Sequence, residues 1–511
     1  MKVSIGNILA DRARLSPNAE AVVDPNHRYD FATLNNRVNQ LAKWLKERNI
    51  GKGDRIAICS RNNTEWITTF FAAAKLGAML VPLNTRLHVE ELLYVVKSCS
   101  PKVLIYESDF IDYAHKLRMV PSVEVCVQIG DSSRSNDPLF DSIFTDEITP
   151  NPPVVASGDD PFLLVFTSGT TGRPKGVVIT HNNLYSNTAA VLVTLDFRED
   201  ERYLAVTPLF HISGLVLTTL CAYRGGAIIT MPEFHPVKIW DVIEQEKITS
   251  FMSVPPMLIV MLQAPDWRNK KLASLRNVFC GGTFVPPDLL RLYNSLGIGT
   301  STVYGCTEAS GALSFFYHKM GIDKCHTVGK PLPFCELKIL DPISGQEVAP
   351  GNVGEVVARA PYITPGYWQN EEETKKVLRD GWLYTGDLGK LDEDGFLVLV
   401  DRLKDLIVCN GENVYPAEVE AILQNIEGVA EVAVIGITHP TFGEVPRAYV
   451  VPKPGYNLSE ADILEHCYDR LAAFKCGKDV RFVKSLPRNA FGKVVKDVLR
   501  KQAMEEEKQK G

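Results

Sequence analysis

Two apolar rhythms alternate through the first 280 residues of this chain, and that alternation restricts its fold more than any other feature. Leu34, Val38, Leu41 and Leu45 recur at helical spacing behind Asp30, a side chain suited to cap a helix. Residues 55–59 read as a short strand, 66–76 as a mostly buried helix, 78–83 as a strand, 90–96 as a helix and 102–106 as a strand. The rhythm returns with strands at 227–231, 250–254 and 277–280 and helical segments at 237–247 and 286–296. Helices alternating with short apolar strands imply parallel sheets with helices packed on them, so an α/β fold is expected. At 511 residues the chain is too long for one core, and two or three domains are expected. From about Pro331 to 397–400 the texture changes to short strands and turns, which predicts a small β-rich subdomain. Residues 401–405 form a charged joint, and beyond it lies a compact α+β unit of about a hundred residues. The expected division is a large domain over 1–401 and a small one over 402–511, with no internal repeat.

Bulk properties narrow the function. A formal charge of −6 argues against a nucleic-acid binder, which would carry a basic patch. No apolar run approaches the length of a membrane span. The first residues carry charges at Asp11, Arg12 and Arg14 and no signal-peptide core. Eleven scattered cysteines without a C-x-x-C pair suggest reduced thiols rather than disulfides or structural zinc. A cytoplasmic location is the expectation.

The segment Thr167-Ser-Gly-Thr-Thr-Gly-Arg-Pro-Lys-Gly176 mixes three glycines with four hydroxyls and two cations. Glycine lets a backbone approach a ligand closely, and N–H groups, hydroxyls and a lysine can replace the water around a polyphosphate. It follows a short apolar strand at 162–166, and a helix is expected from about Asn182. The Walker spacing is absent. A plain polar turn is the alternative reading of this segment taken by itself.

Four further segments share its character. Tyr304-Gly305-Cys306-Thr307-Glu308 sets a hydroxyl beside a carboxylate. Tyr384-Thr385-Gly386-Asp387 reads as a tight turn carrying one carboxylate. Asp401-Arg402-Leu403-Lys404-Asp405 precedes Asn410-Gly411-Glu412-Asn413-Val414-Tyr415-Pro416, whose proline suits a first helical turn. Leu486-Pro487-Arg488-Asn489-Ala490-Phe491-Gly492-Lys493 sets a lysine behind a glycine. Taken singly, each polar residue here could be a solvated loop side chain.

In this order and spacing the five segments resemble the acyl-adenylate-forming superfamily over essentially the whole chain, most closely its acyl-CoA synthetase branch. That resemblance implies a large domain of helix-packed sheets with a small mobile α+β lid. It implies a reaction in which a carboxylic acid joins AMP from ATP, with loss of pyrophosphate, and then passes to the thiol of CoA. Bringing a carboxylate to a phosphate demands that charge be neutralised and the attack aligned. On the resemblance, Thr167, Ser168, Gly169, Thr170, Thr171, Gly172 and Lys175 cradle the β- and γ-phosphates. Tyr304 and Gly305 belong to the nucleotide site, Thr307 touches the α-phosphate and Glu308 holds Mg²⁺, a hard cation suited to carboxylate oxygen. Gly281, Gly282 and Thr283 pack the adenine. Asp387 and Arg402 bind the ribose, and Lys493 bridges the carboxylate and the α-phosphate. Lys404 is the implied hinge of the lid, and Gly411 faces the thiol's tunnel after the pivot. The partners implied are the acid, ATP and CoA, and a homodimer is compatible with the family pattern.

For the acid, amino-acid-activating relatives place an Asp in the segment matching Pro208-Leu209-Phe210-His211-Ile212; here His211 stands there, as a pocket wall or gate. Acetate-specific relatives close the pocket with Trp where this chain has Gly305, so a larger acid is expected. Ser213, Gly214, Gly281 and Cys306 are expected to line the acyl pocket with His211. A medium- or long-chain fatty acid or an aryl acid is the preferred range. Loading of a carrier protein, a malonyl-CoA synthetase-like dicarboxylate ligase with Arg276 and Arg291 as candidate anchors, and a non-catalytic nucleotide sensor are the alternatives.

Overall fold

Asp30 caps the first long amphipathic helix: its carboxylate accepts from the Thr33 N–H at 2.8 Å. The helix, Phe31–Lys46, buries Leu34, Val38, Leu41 and Leu45, the repeat the sequence displayed. The computed structural model describes residues 3–131, 134–168, 174–409, 412–439, 442–477, 479–489 and 493–510; the side chains of Ser168 and 507–510 lie outside that description. The chain divides into two units, Met1–Leu337 with Ala358–Tyr384, and Lys338–Val357 with Thr385–Gly511.

The first unit is built on two sheets. One has seven strands in the order Gly366–Tyr367, Pro174–Thr180, Pro161–Ser168, Met79–Pro82, Arg55–Cys59, Val103–Glu107, Val125–Ile129. Its last five strands are parallel, and the first two join antiparallel. The helix Thr64–Leu76 is buried along its whole length, which is why its sequence lacks a polar stripe. The second sheet has nine strands, with Gly299–Cys306, Asn277–Gly281, Ser250–Ser253, Arg202–Ala205, Ala227–Thr230 and Glu20–Val23 parallel at its centre. This is the α/β architecture that the alternating rhythm predicts.

In the second unit, Val429–His439 and Gly443–Pro452 form a long hairpin whose alternate residues face opposite sides. Val434, Ala448 and Val450 join one core with Val419 and Leu423 of the helix Pro416–Gln424. Ala433, Ile435 and Tyr449 face the other way and pack on Leu499 and Ala503 of the helix Lys496–Lys510. That second packing fixes the helix directly behind Lys493. Three strands, Glu336–Leu340, Gly354–Arg359 and Trp382–Leu391, carry the chain between the two units.

Candidate active site

Three of the candidate segments of the first unit leave the carboxyl ends of parallel strands in one sheet. His211 follows Arg202–Ala205, Gly281 ends Asn277–Gly281, and Gly305 and Cys306 end Gly299–Cys306. Ligands of open α/β sheets bind outside such ends. Gly281 lies in register with Val303, so the adenine-packing candidates Gly281, Gly282 and Thr283 sit one strand from Tyr304.

The phosphate segment is a β-hairpin rather than a strand leading through a loop into a helix. Pro161–Ser168 returns as Pro174–Thr180, with Thr167 directly opposite Lys175. The helix opens only after the second strand, at His181, where Thr180 caps it by accepting from Asn183 N–H. Lys175 therefore rides on a strand. Gly169, Thr170, Thr171 and Gly172, and the Ser168 side chain, lie outside the described residues.

Lys175 is nine-tenths buried as a side chain and ion-pairs with Glu373. Its ammonium also lies 5.2 Å from the centroid of the Tyr367 ring. The Tyr367 hydroxyl donates to Glu308 Oε1 at 2.8 Å, so Lys175 and Glu308, 133 positions apart in the chain, meet through one phenol. Burial, then the Glu308 carboxylate, holds that phenol's pKa far above its ordinary value, and it stays a donor.

Sequence reasoning missed this strap. Gly366–Tyr367 adds an edge strand to the phosphate hairpin opposite Val178 and Val177. Thr364 anchors it, donating its N–H to Glu308 O at 2.8 Å and its hydroxyl to Val178 O at 2.5 Å. Trp368 N–H donates to Gly176 O at 2.7 Å. Asn183, in the first turn of the hairpin's helix, donates to Pro361 O and Ile363 O at 3.0 Å each. The aromatic pair behind Pro365-Gly366 was the available signal.

Thr307 and Glu308 lie in a 3₁₀ turn, Thr307–Ala309, with Cys306 at its start. Asn187 holds the far side, donating to Ala312 O at 2.8 Å. At Gly305 the strand's register shifts, and a Cβ built there would fall 2.0 Å from Gly311 O. The missing side chain therefore answers first to the neighbouring strand's backbone, and only then to room for an acid. Gly214 has a similar reason, since its Cβ would lie 2.9 Å from Leu209 Cα.

The His211 segment is pinned by Asn62, which donates to Ala205 O at 2.9 Å and Thr207 O at 3.0 Å and accepts from Leu209 N–H at 2.8 Å. His211 starts the helix Ile212–Arg224, which carries Ser213 and Gly214 in its first turn. Burial of the ring, with the Arg86 guanidinium adding to it, pushes its pKa down to about 3. Such a ring is poorly suited to general-base work. Arg276 pairs with Glu201 at 2.7 Å and Arg291 with Asp288 at 2.7 Å, so both candidate dicarboxylate anchors are engaged in local ion pairs.

In the second unit Asp387 stands in a strand, not in the tight turn its sequence suggests. Gly386, at φ +70°, kinks Trp382–Leu391 without ending it. Thr385 and Glu355 brace the kink: the Thr385 hydroxyl donates to Val356 O at 2.7 Å, and Gly386 N–H donates to Glu355 at 3.1 Å. Asp387 is thus directly across from Arg402, Nε to Oδ1 at 2.6 Å. The two ribose candidates are a cross-strand pair.

Lys493 is held in a closed turn in which its N–H donates to Asn489 Oδ1 at 3.0 Å and Asn489 N–H donates to Lys493 O at 2.9 Å. Burial first, then the Arg402 guanidinium, lowers the pKa of Lys493, while Asp387 and Asp405 act in the opposite sense. Lys404, in the turn Leu403–Asp405, pairs with Asp497 at 2.9 Å. Gly411 lies outside the described residues.

Comparison with known proteins identifies the family. The AMP-binding enzyme model matches residues 9–368, and the AMP-binding enzyme C-terminal domain model matches 418–493. The feruloyl-CoA synthase of an Amycolatopsis species is 37% identical over 97% of this chain and 98% of its own. The long-chain-fatty-acid–CoA ligase FadD13 of Mycobacterium tuberculosis is 36% identical over 98% of each. The ATP-bound structure of MatB from Rhodopseudomonas palustris superimposes with a TM-score of 0.88 at 30% identity, over 98% of this chain and 99% of its own. No helix among the described residues is long and apolar enough to cross a membrane. The chain belongs to the AMP-binding enzyme family and is an acyl-CoA synthetase, an AMP-forming acid–CoA ligase that uses ATP and CoA.

Proposed function

We propose that the acid this synthetase activates is a medium- or long-chain fatty acid or an aryl acid, and that the residues described above divide the work in two half-reactions. The observation that carries the choice of acid is the neutral His211 in a segment without a carboxylate. An uncharged wall suits an acid whose body is uncharged. The names of two relatives, a feruloyl-CoA synthase and a long-chain-fatty-acid–CoA ligase, lie in the same range. Arg276 is committed to the buried Glu201, which makes it a poor anchor for a dicarboxylate. Eleven free cysteines suit a reducing cytoplasm.

In the first half-reaction a carboxylate oxygen attacks the α-phosphorus of ATP and pyrophosphate leaves. Thr167 and Lys175 hold the β- and γ-phosphates, Thr307 the α-phosphate, and Asp387 with Arg402 the ribose hydroxyls. Lys493 brings a compact charge to the carboxylate and α-phosphate oxygens, where charge moves as the bond forms. Glu308 fits Mg²⁺ by the chemistry of its donor atom: Oε1 is taken by the Tyr367 phenol, and the carboxylate offers a second hard oxygen. When bound, that ion would offset phosphate charge. In the second half-reaction the CoA thiol attacks the acyl carbonyl and AMP leaves. Lys493 must withdraw first, and the domains 1–401 and 402–511 would pivot at Lys404 to allow it.

The test is pyrophosphate release with ATP, Mg²⁺ and a panel of carboxylic acids, with and without CoA, and mass detection of products. A CoA-dependent fatty-acyl or aryl thioester is expected. Preference for malonate would overturn the choice of acid, and acyl-AMP without a thioester would point to a carrier-protein ligase.

A further inference from the structure

Four charges enclose the joint at 403–405. Lys404 Nζ lies 2.9 Å from Asp497 Oδ2, Arg500 reaches Asp497 Oδ1 at 2.7 Å, and Arg500 also reaches Asp405 Oδ1 at 2.5 Å. Asp405 and Arg500 are mostly buried, and the outer pair, Lys404 and Asp497, is somewhat under half exposed. The two aspartates and Arg500 thus close a chain from the joint to the first turn of Lys496–Lys510, the helix that follows Lys493 by two residues. That helix is fixed to its own sheet through Leu499 and Ala503, so a pull on Asp497 is a pull on the whole small lobe.

The charges near Lys493 give the chain its purpose. Two cations, Arg402 and Lys404, and two carboxylates, Asp387 and Asp405, act on its ammonium. Each cation has its own carboxylate: Arg402 has Asp387 across the strand, and Lys404 has Asp497. Removing Asp497 would take from Lys404 its carboxylate beside Lys493 and weaken the arrangement in which Lys493 sits near Asp387. We propose that Asp497 is a positioning residue of this synthetase, an ionic latch on Lys404 that favours the Lys493-docked arrangement used for adenylation over the one used for thioester formation. The proposal rests on the reading of Lys404 as the pivot. With a pivot at Lys404, the Lys404–Asp497 pair spans the turning point, whereas Arg500–Asp405 and Arg500–Asp497 lie wholly on the C-terminal side.

The experiment separates the half-reactions: pyrophosphate release in a single turnover, and thioester formation from preformed acyl-AMP and CoA. Exposed ion pairs contribute modestly, so Asp497→Asn should slow the first by about 2- to 5-fold and leave the second unchanged or faster. The shift should fade in 0.5 M KCl, where the Debye length falls to about 4 Å. Asp497→Glu, which keeps the charge, should retain the wild-type ratio. Equal loss in both half-reactions, or a ratio unmoved by Asp497→Asn, overturns the latch. Lys404→Pro distinguishes the two failures: if it too leaves the ratio unchanged, the pivot reading falls and the latch falls with it. If it moves the ratio while Asp497→Asn does not, the latch alone is wrong.

Discussion

Lys175 and Lys493, the two lysines proposed to serve one reaction, are held by the protein in opposite ways. Lys175 is sealed into a strand, its ammonium committed to Glu373, which also takes Lys376 at 2.5 Å. The strap that brings Glu373 is stitched to the hairpin by backbone hydrogen bonds. Lys493 sits in a turn among two cations and two carboxylates and is committed to none of them by a close ion pair among the described residues. A buried pair is costly to break, because separation strands both charges away from water. A lysine that must remain on the phosphates is best paired and buried; one that must arrive and leave is best balanced by several neighbours.

The largest expected effect tests the mobile partner. Lys493→Gln removes the charge and keeps much of the volume, and acyl-AMP formation should fall about 100- to 1,000-fold, the usual result of deleting one donor at a developing charge. Thioester formation from preformed acyl-AMP should stay within about 2-fold, because the lysine is absent from that step. Acyl-AMP formed at the normal rate would remove Lys493 from the mechanism.

A smaller effect tests the fixed partner. Lys175→Met leaves Glu373 with Lys376 and removes one phosphate contact, so the KM for ATP should rise about 10-fold, equivalent to about 1.4 kcal/mol. Unlike Lys493→Gln, it should also lower the melting temperature, since a mostly buried carboxylate loses the more buried of its two lysine partners. If stability is untouched and only kcat falls, the contrast between a structural and a mobile lysine is wrong.

The elements of the first unit were legible because their apolar periods are local: Leu34 to Leu45 and the 55–59 strand need no distant partner to be read. Tyr367 was not legible, because its value lies in meeting Glu308 and Lys175, and no local pattern announces a contact across 59 residues. Asp387 was placed in a turn because a glycine precedes it; pairing with Leu397–Arg402 keeps the strand running through that glycine. Gly305 suggests an absence of bulk inside a pocket, and the sequence does not show that the Gly311 carbonyl would have to shift to admit a Cβ there. Spacing singles out the candidate segments, but the reasons for particular residues lie in strands that the spacing does not show.

A third lysine sharpens the comparison, because it is buried with no carboxylate paired to it among the described residues. Lys75, 7% exposed, donates to Asn35 Oδ1 at 2.5 Å, Asn39 Oδ1 at 2.6 Å and Asn151 Oδ1 at 2.8 Å. Burial pushes its pKa down to about 7, from an ordinary value of 10.5. Below about pH 7 both the folded and the unfolded chain hold this proton, and the group adds no pH dependence. Between about 7 and 10.5 the unfolded chain holds it and the folded chain releases it, so stability rises with pH by at most about 1.4 kcal/mol per unit. Urea midpoints between pH 7 and 9.5 should therefore climb in the wild type relative to Lys75→Met, which lacks the group. Parallel profiles would mean that three amide oxygens hold the ammonium as firmly as Glu373 holds Lys175. Burial would then not be what separates the fixed lysine from the mobile one, and the number of committed partners would be.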